Sequence, residues 1–246
     1  MSKLFNIATN KHGLIVYGGE SSADYGMVVS EAPAYERPNR KQTVYTVPGR
    51  NGAVVFQDDA WEDVIRSYNV WIAKGAQALP VKVDAFEAML NSMKGYQRLE
   101  DNFEPDIFRL AYYSGGNNFS NNMTQYGEAT ISFTCRPERF LKTGEQEVTV
   151  INGDKLQNFT RFTSKPLIHI EGSGTVTVSI GGNTISASVT DYINIDCETM
   201  NAYRLAAENK NSDISGSFPV IKPGENTFGI TGTTTKVTVV PRYFTI

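Results

Sequence analysis

Residues 175–189, TVTVSIGGNTISASV, decide the fold class of the second half of this 246-residue chain. Apolar side chains occupy every second position on both sides of Gly181-Gly182-Asn183. They are Val176, Val178, Ile180, Ile185, Ala187 and Val189. A period of two is typical of a strand with one buried face, and glycines supply the positive φ angles that a tight turn requires. The stretch therefore predicts a β-hairpin.

The rest of the second half continues as short segments that end at turn residues. These segments are residues 148–151, 167–172, 192–198, 227–230 and 236–240. No helical period appears from Glu147 onward. Because short strands at regular spacing are typical of sandwiches, the sequence predicts an all-β module here.

The first half is also rich in β-branched and aromatic residues, but one stretch has a helical period. Its apolar positions are Val83, Phe86, Leu90 and Met93, which lie on one face of a helix. Asp84 and Glu87 have the form of a capping box, and Gly95 lies where a C-terminal glycine would end the helix. We predict one helix, whose apolar face covers the sheet rather than a membrane or a partner.

Two strands of the first half have a clear buried face. Tyr68, Val70 and Ile72 share one side of the first. Ala129, Ile131, Phe133 and Cys135 share one side of the second. The composition shifts near residue 145, because the helix and most aromatic and charged residues come before it. We therefore predict two domains, residues 1–145 and 146–246.

Composition excludes several classes of protein. Hydrophobic residues make up 40% of the chain and charged residues 20%, which is enough apolar material for a core and argues against disorder. The net charge of -3 argues against dedicated nucleic-acid binding, which depends on an excess of Lys and Arg. No apolar run approaches the ~18 residues that span a bilayer, and the first residues have no signal-peptide core. We expect a protein made in a cytosol, without membrane insertion.

The residues that usually carry chemistry are scarce. His12 and His169 are the only histidines, and neither lies near a nucleophile motif. Cys135 and Cys197 fit no metal or redox spacing, so we expect reduced, structural thiols. Carboxylate pairs such as Asp58-Asp59 are expected by chance among 26 acidic residues. We therefore assign no catalytic, cofactor-binding or metal-binding residue, and predict a binding or structural role rather than an enzyme.

Two further motifs have simple interpretations. Residues 47–52, VPGRNG, look like a phosphate loop but lack GxxxxGK[ST], and no helix begins directly after them. We predict a sharp turn between strands, with Pro48 fixing φ and the glycines at positive φ. The sequons at Asn118, Asn122 and Asn158 are interpreted as coincidental, because no secretory signal precedes them.

Several segments follow one another in a specific order. In the first half they are residues 47–52, the strand with Tyr68, the helix, and residues 99–106 and 133–140. In the second half they are residues 164–166, 193–198, 223–226 and 241–243. This order resembles the distal tail protein (Dit) family of siphophages, which have long non-contractile tails. The family's usual Ser-Asn-Pro is Ser164-Lys165-Pro166 here. The length leaves no room for the inserted carbohydrate-binding module of many members.

This resemblance implies a fold and a role. The fold would be an N-terminal β-sandwich with one α-helix and an extended β-hairpin arm, followed by a C-terminal galectin-like β-sandwich. Six copies would form a ring at the tail tip of the virion after assembly in the host cytoplasm. The ring would join the tail tube protein to the tail-associated lysin or tail-tip protein and, in some phages, to receptor-binding proteins. No cofactor and no nucleic-acid sequence recognition are implied.

Two segments are candidates for contacts between subunits. We place the subunit-bridging arm in the Gly- and Asn-rich segment Ser114–Tyr126, with a plain hairpin loop as the alternative. For the acidic segment Glu100–Asp106 we expect a solvated loop, with a salt-bridge site between subunits as the alternative.

The main alternative function is carbohydrate binding by the C-terminal sandwich. Sugars stack on aromatic platforms, yet Trp61 and Trp71 both lie in the first half. The candidate stacking residues of the second half are Tyr192, Tyr203, Phe218, Phe228, Tyr243 and Phe244. Core or rim positions for these rings are the competing interpretation. An enzyme is a third and weaker hypothesis.

Overall fold

Strands make up most of the structure, which is a computed structural model that describes residues 13–73, 79–115, 120–122, 126–205 and 208–246. The described residues up to Arg139, with Ile246, form one compact unit, and Phe140–Thr245 form a second. Each unit has its own hydrophobic core. The predicted mainly β fold, with β-sandwich architecture and a helix in the N-terminal half, is confirmed.

The first unit contains ten strands and one α-helix among its described residues. They are β1 (Ile15–Tyr17), β2 (Glu20–Ser21), β3 (Met27–Val29), β4 (Arg40–Thr46), β5 (Ala53–Trp61), β6 (Val64–Ala73), α1 (Leu79–Ser92), β7 (Gln97–Asp101), β8 (Ile107–Tyr113), β9 (Ser120–Asn122) and β10 (Tyr126–Leu141). The last residues of β10 belong to the second unit.

The main sheet of this unit curls until its two ends meet. Its strand order is β2-β1-β7-β8-β10-β6-β3, and β9 pairs with β10. A bridge between Gly13, just before β1, and Val29 of β3 brings the ends together through two backbone hydrogen bonds of 3.0 and 2.7 Å. The faces of the curled sheet thus enclose a core, and α1 contributes Phe86, Met89 and Leu90 to it.

The helix begins earlier than its sequence pattern indicates. It runs from Leu79 to Ser92, so Asp84 and Glu87 lie inside it and do not form the predicted capping box. Pro80 occupies the first turn, where a missing backbone N–H costs nothing, and was the better signal for the start. The predicted apolar face is confirmed, since Phe86 and Leu90 are buried and Val83 and Met93 pack against the same core. Gly95, at φ +67°, follows the end of the helix.

The predicted buried faces of β6 and β10 are confirmed. Tyr68, Val70 and Ile72 face the core, as do Ala129, Ile131, Phe133 and Cys135. The ring of Phe133 is central, with its centroid 4.9 Å from that of Tyr17 and 6.0 Å from that of Tyr113. Phe133, which lies on β10, thus contacts side chains from β1 and β8.

The second unit contains eleven strands among its described residues, counted from Phe140. They are β11 (Val148–Thr149), β12 (Lys155–Asn158), β13 (Leu167–Ile180), β14 (Asn183–Val189), β15 (Tyr192–Asp196), β16 (Asn201–Arg204), β17 (Glu208–Asn209), β18 (Ile214–Gly216), β19 (Gly224–Thr227), β20 (Gly229–Val240) and β21 (Phe244–Thr245). No α-helix occurs in the part of this unit that the structure describes, which agrees with the missing helical period.

Strand β13 is the centre of the second unit. The sheet order is β11-β20-β13-β15-β16-β17, and β14 pairs with both β13 and β18. The predicted hairpin is confirmed: Val178 lies opposite Ile185, and Gly181 and Gly182 both have positive φ, as a two-residue turn requires. The core lies under this sheet and includes the fully buried Phe228.

Several of the segments that carry the family resemblance have structural roles. Asn226 is buried, accepts a hydrogen bond from the backbone N–H of Lys222, and donates to the carbonyls of Lys222 and Gly224. Asp196 accepts two hydrogen bonds from the Arg242 guanidinium at 2.7 and 3.1 Å. The side chains of Asn226 and Asp196 therefore hold loops and strand ends in place inside the unit.

Both cysteines are free and buried in separate units. Burial raises the pKa of the Cys135 and Cys197 thiols to about 12. A thiol with so high a pKa is protonated at neutral pH and is a poor nucleophile and metal ligand. Both residues therefore act as small apolar side chains in the core.

Replacing Phe133 by alanine tests the aromatic centre of the first unit. We expect Phe133→Ala to lower the free energy of unfolding by about 3–5 kcal/mol, because it leaves a cavity where three elements meet. The matched control is Phe56→Ala, since the Phe56 side chain is exposed. Urea denaturation at low protein concentration measures both. Equal losses for the two variants would contradict this assignment of the core.

Candidate functional site

A two-stranded hairpin, residues 40–61, forms a sheet of its own in the first unit. We call it the arm. Strands β4 and β5 pair from Arg40 opposite Trp61 to Thr46 opposite Ala53, and with no other strand in the described ranges. Every residue of β4 and most of β5 are exposed. Because an isolated hairpin is marginally stable in water at best, the arm is expected to gain stability from contact with another surface.

Apolar side chains lie on both faces of the arm. Val44 and Val55 are directly opposite each other, so they share one face. Tyr45 and Phe56 share the other, and their rings meet edge to face with centroids 5.7 Å apart. All four side chains are about half exposed, from 49% for Val55 to 61% for Phe56. Grouped exposure of this kind marks an interaction surface.

The tip of the arm is the sharp turn that the sequence predicts. Gly49 and Gly52 both have φ +79°, and the Arg50 N–H donates to the Val47 carbonyl at 3.2 Å. A side chain with Cβ would be strained at either glycine. The interpretation of residues 47–52 as a turn between strands is thus confirmed.

The two strands of the arm carry opposite charges near its root. Arg40 and Lys41 are exposed at the start of β4, whereas Asp58 and Asp59 are exposed towards the end of β5. The Arg40 guanidinium lies over the Trp61 ring, 4.5 Å from its centroid. The root end of β4 is therefore basic and the root end of β5 is acidic.

The arm is attached to the unit at a defined root. The Asn39 carbonyl accepts a hydrogen bond of 2.9 Å from the Glu62 N–H, which closes the base of the hairpin. In the segment that leads into β4, the Ala34 carbonyl accepts a bond of 3.5 Å from Arg66 Nη1. Arg66 follows the arm on β6 and is buried, so the root is tied to the interior of the unit.

Arg66 belongs to a buried group of charged residues that we call the ionic cluster. It consists of Arg66, Tyr68, Asp101, Glu104, Arg109 and Arg139. Arg66 Nη2 lies 2.8 Å from Asp101 Oδ2 and 3.1 Å from Glu104 Oε2. Arg109 Nη2 lies 2.5 Å from Glu104 Oε2, and Arg139 binds Glu104 Oε1. The Glu104 carboxylate is thus shared by three guanidinium groups from three strands.

Further hydrogen bonds position Tyr68 and Asp101 within the cluster. The Tyr68 hydroxyl donates to Asp101 Oδ2 at 2.7 Å and accepts a bond of 2.9 Å from Arg66 Nε. Asp101 Oδ1 accepts from the backbone N–H groups of Phe103 and Glu104 at 3.0 and 2.9 Å. These two bonds shape the turn that places the Glu104 side chain among the arginines.

The cluster controls the ionisation of its members. Burial opposes the charged form of Glu104, but hydrogen bonding and charge from Arg109, together with Arg139 and Arg66, lower its pKa below the usual value. Burial, followed by the neighbouring Asp101 carboxylate, raises the pKa of Tyr68 well above its usual value. At neutral pH Glu104 is therefore charged and Tyr68 is a neutral hydrogen-bond donor.

The structure corrects our expectation for the acidic segment Glu100–Asp106. Glu100, Asp101 and Glu104 are buried, so the segment is not a solvated loop. Asp101 and Glu104 form their salt bridges within the chain. The partner arginines are spread from position 66 to position 139, and no local pattern in the sequence links them.

The segment in which the sequence places the subunit-bridging arm, Ser114–Tyr126, lies largely outside the described residues, which exclude 116–119 and 123–125. Within it, Ser120–Asn122 pairs with the start of β10. The exposed hairpin at residues 40–61 is a further extended segment. The sequence indicates the turn at its tip, but not that both faces of its strands are exposed.

The remaining candidates are placed as follows. His12 and the sequon at Asn118 lie outside the described residues. His169 is half-buried in a strand, and the amide of Asn158 is buried and hydrogen-bonded. No group of three or more His, Cys, Asp or Glu side chains within the described ranges could hold a metal ion. The described part of the chain also has no helix with the length and apolar character needed to cross a membrane.

Two β units, the first with a helix and an exposed hairpin, define the fold of a phage distal tail protein, and the resemblance found in the sequence is confirmed for the fold. The chain is similar to the Dit protein of phage SPP1, described as a paradigm of the hub adsorption apparatus in phages that infect Gram-positive bacteria. The TM-score is 0.74 at 13% sequence identity, over 95% of this chain and 99% of that one.

Two structures of the phage P2 baseplate in its activated conformation, one with Ca and one with Sr, also match. In both the TM-score is 0.49 and the identity is 9%, over 93% of this chain and 97% of the other. No family model matches the chain, and no curated protein is similar enough in sequence to match it.

Removing the central carboxylate of the ionic cluster tests its contribution to stability. We expect Glu104→Gln to lower the free energy of unfolding by about 3 kcal/mol at pH 7, because three arginines, two of them buried, lose their shared counter-charge. Since the pKa of Glu104 is lowered on folding, its contribution is present above its usual pKa and is lost as the pH falls through the folded-state value.

Urea denaturation of both proteins from pH 7 to pH 3 measures this effect. The stability difference between the original protein and the Glu104→Gln variant should be largest at pH 7 and shrink towards pH 3. Glu198→Gln is a suitable control, because Glu198 is half exposed and its nearest cation, Lys165, is 3.6 Å away. A difference independent of pH would show that Glu104 is not stabilised as the carboxylate.

Proposed function

We propose that this chain is a non-enzymatic structural hub of a phage tail tip. Six copies form a ring that joins the tail tube protein to the tail-associated lysin or tail-tip protein, and the ring also carries receptor-binding proteins in phages that use them. The protein is a virion component, assembled in the host cytoplasm. Residues 1–145 build the ring, and residues 146–246, a galectin-like sandwich, lie at its outside.

The observation that carries this proposal is the fold. Both units align with the SPP1 Dit protein over nearly the whole of each chain, although only 13% of the residues are identical. At this level of identity the fold is kept through the pattern of buried and exposed positions. The SPP1 Dit protein, which has this fold, is described as a paradigm of the hub adsorption apparatus.

The arm supplies an independent reason to expect assembly. Its apolar side chains are exposed to water, which is energetically unfavourable. Its two outer strand edges carry backbone groups without a strand partner in the described ranges. A sheet edge of this kind pairs readily with another strand. A closed ring of identical copies is the arrangement that leaves no edge exposed.

The charges of the arm favour a head-to-tail contact between copies. A basic edge at Arg40-Lys41 in one copy complements an acidic edge at Asp58-Asp59 in the next. Contacts between two different surfaces of the same protein are heterologous, and they close into rings when the rotation between copies allows it. The net charge of -3 keeps the long-range repulsion between copies small.

Reversing the charge of each edge tests this arrangement. In the acidic-arm variant, Arg40→Glu with Lys41→Glu, both edges are negative. In the basic-arm variant, Asp58→Lys with Asp59→Lys, both edges are positive. We expect light scattering to give the original protein a mass near six times 27.2 kDa. Each variant alone should be monomeric, because like charges meet at every contact. An equimolar mixture should form rings again, since the two kinds of arm then alternate.

The controls separate the arm from charge changes in general. Lys155→Glu and Glu225→Lys alter an exposed pair in the second unit and should leave the mass unchanged. Rings in either arm variant alone would refute the head-to-tail contact through these edges. A monomeric original protein at high concentration, without rings in electron micrographs, would overturn the proposed function itself.

A further inference from the structure

The sequence contains two Asn-Gly pairs, Asn51-Gly52 at the tip of the arm and Asn152-Gly153 between β11 and β12. In such a pair the asparagine deamidates readily, because glycine has no side chain to hinder attack of its backbone nitrogen on the neighbouring amide carbon. The two pairs are alike in their surroundings. Both asparagines are exposed, both glycines have positive φ, and a Cβ added at either glycine would meet no atom within 4 Å. Exposure and crowding therefore do not distinguish them.

Hydrogen bonds hold both reacting groups of the second pair. The Gly153 N–H donates to the Phe228 carbonyl at 2.8 Å. The side-chain oxygen of Asn152 accepts a bond of 2.9 Å from the Ile230 N–H on β20. The glycine nitrogen cannot attack until the first bond opens, and the amide cannot turn towards it until the second bond opens. The fold thus keeps the two reacting groups of this pair apart.

The first pair has neither of these bonds. Neither the Gly52 N–H nor the Asn51 side chain is hydrogen-bonded to another residue that the structure describes. The bond of the turn lies just before the pair, from the Arg50 N–H to the Val47 carbonyl. The pair is also at the end of a hairpin whose strands pair only with each other in the described ranges, and such an end opens at low cost. The Gly52 nitrogen and the Asn51 amide are therefore free to approach each other.

We propose that Asn51 is a site of spontaneous deamidation and that the fold protects Asn152 from the same reaction. The Gly52 nitrogen forms a bond to Cγ of Asn51 and loses its proton, which passes through water to the departing amide group. That group leaves as ammonia, and a cyclic imide remains. Water then opens the imide at either of its two carbonyl carbons, which gives aspartate or isoaspartate at position 51. The net reaction consumes one water and releases one ammonia, without an oxidant, a reductant or an enzyme.

The reaction changes both the charge and the backbone of the arm. Arg50 is the one charged residue of the tip, residues 47–52, so a carboxylate at position 51 neutralises the tip. In the isoaspartate product the backbone also runs through the former side chain, which adds one methylene carbon to the turn. Older copies of the protein thus differ from newly made ones at the tip of the arm. The inference does not depend on ring assembly, because both pairs and their hydrogen bonds lie in one chain.

Peptide mapping by mass spectrometry tests the proposal on the full chain. The folded protein is incubated in mildly alkaline buffer, which speeds the reaction because the attacking nitrogen must lose its proton. Aspartate and isoaspartate at positions 51 and 152 are then measured over time. We expect Asn51 to react at least about tenfold faster than Asn152, because each ~1.4 kcal/mol needed to open the bonds of the second pair slows its reaction tenfold. Equal rates in the folded protein would overturn the proposal.

Two controls separate the fold from the local sequence. In concentrated urea the bonds of Asn152-Gly153 are lost, so the two rates should become similar. A difference that persists in urea would mean that neighbouring residues set the rates, and it would also overturn the proposal. In the folded Asn51→Gln variant, whose longer side chain cyclises far more slowly, most of the acidic species seen by ion-exchange chromatography should disappear. An acidic species that forms as fast in this variant would assign the reaction to another residue.

The ring is measured separately on the same samples. Light scattering at the start of the incubation gives the mass of the assembly, and a protein that stays monomeric should show the same ranking of the two rates. A failure of the proposed function is thus distinguishable from a failure of this inference. Thermal unfolding of Asn51→Gln should match that of the original protein, because position 51 is exposed.

Discussion

The first unit depends on one buried carboxylate, that of Glu104. Three arginines from β6, β8 and β10 share it, so these three strands are held together by side chains as well as by the sheet. Charges taken out of water are costly unless they are paired and hydrogen-bonded. The turn made by Asp101 supplies that pairing, because its backbone hydrogen bonds set the position of Glu104. Through Arg66, the same cluster reaches the segment that leads into the arm.

A division of labour follows within this unit. The curled sheet and helix bury most of their apolar residues in one core, in which Phe133 makes aromatic contacts. The arm does not bury its apolar residues, since the Tyr45 and Phe56 rings cover only parts of each other. A self-sufficient core with a tethered, unsatisfied hairpin suits a protein that folds first and associates afterwards.

Much of this fold could be predicted from the sequence, and the reasons are local. The alternation at Tyr68, Val70 and Ile72 and the turn at Gly181-Gly182 depend on neighbours in the chain, and both were predicted. The burial of Glu104 depends on more distant residues. An acidic segment looks the same in sequence whether water or arginines surround it.

In the head-to-tail assembly proposed above, the opposite charges of the two strands of the arm would give each copy a direction and two contact surfaces. A linear series of copies would keep a free contact surface at each end, whereas a closed ring would use every one. The number of copies in the ring would then depend on the angle between neighbouring arms. The hydrogen bond between Asn39 and Glu62 at the root would help to set that angle.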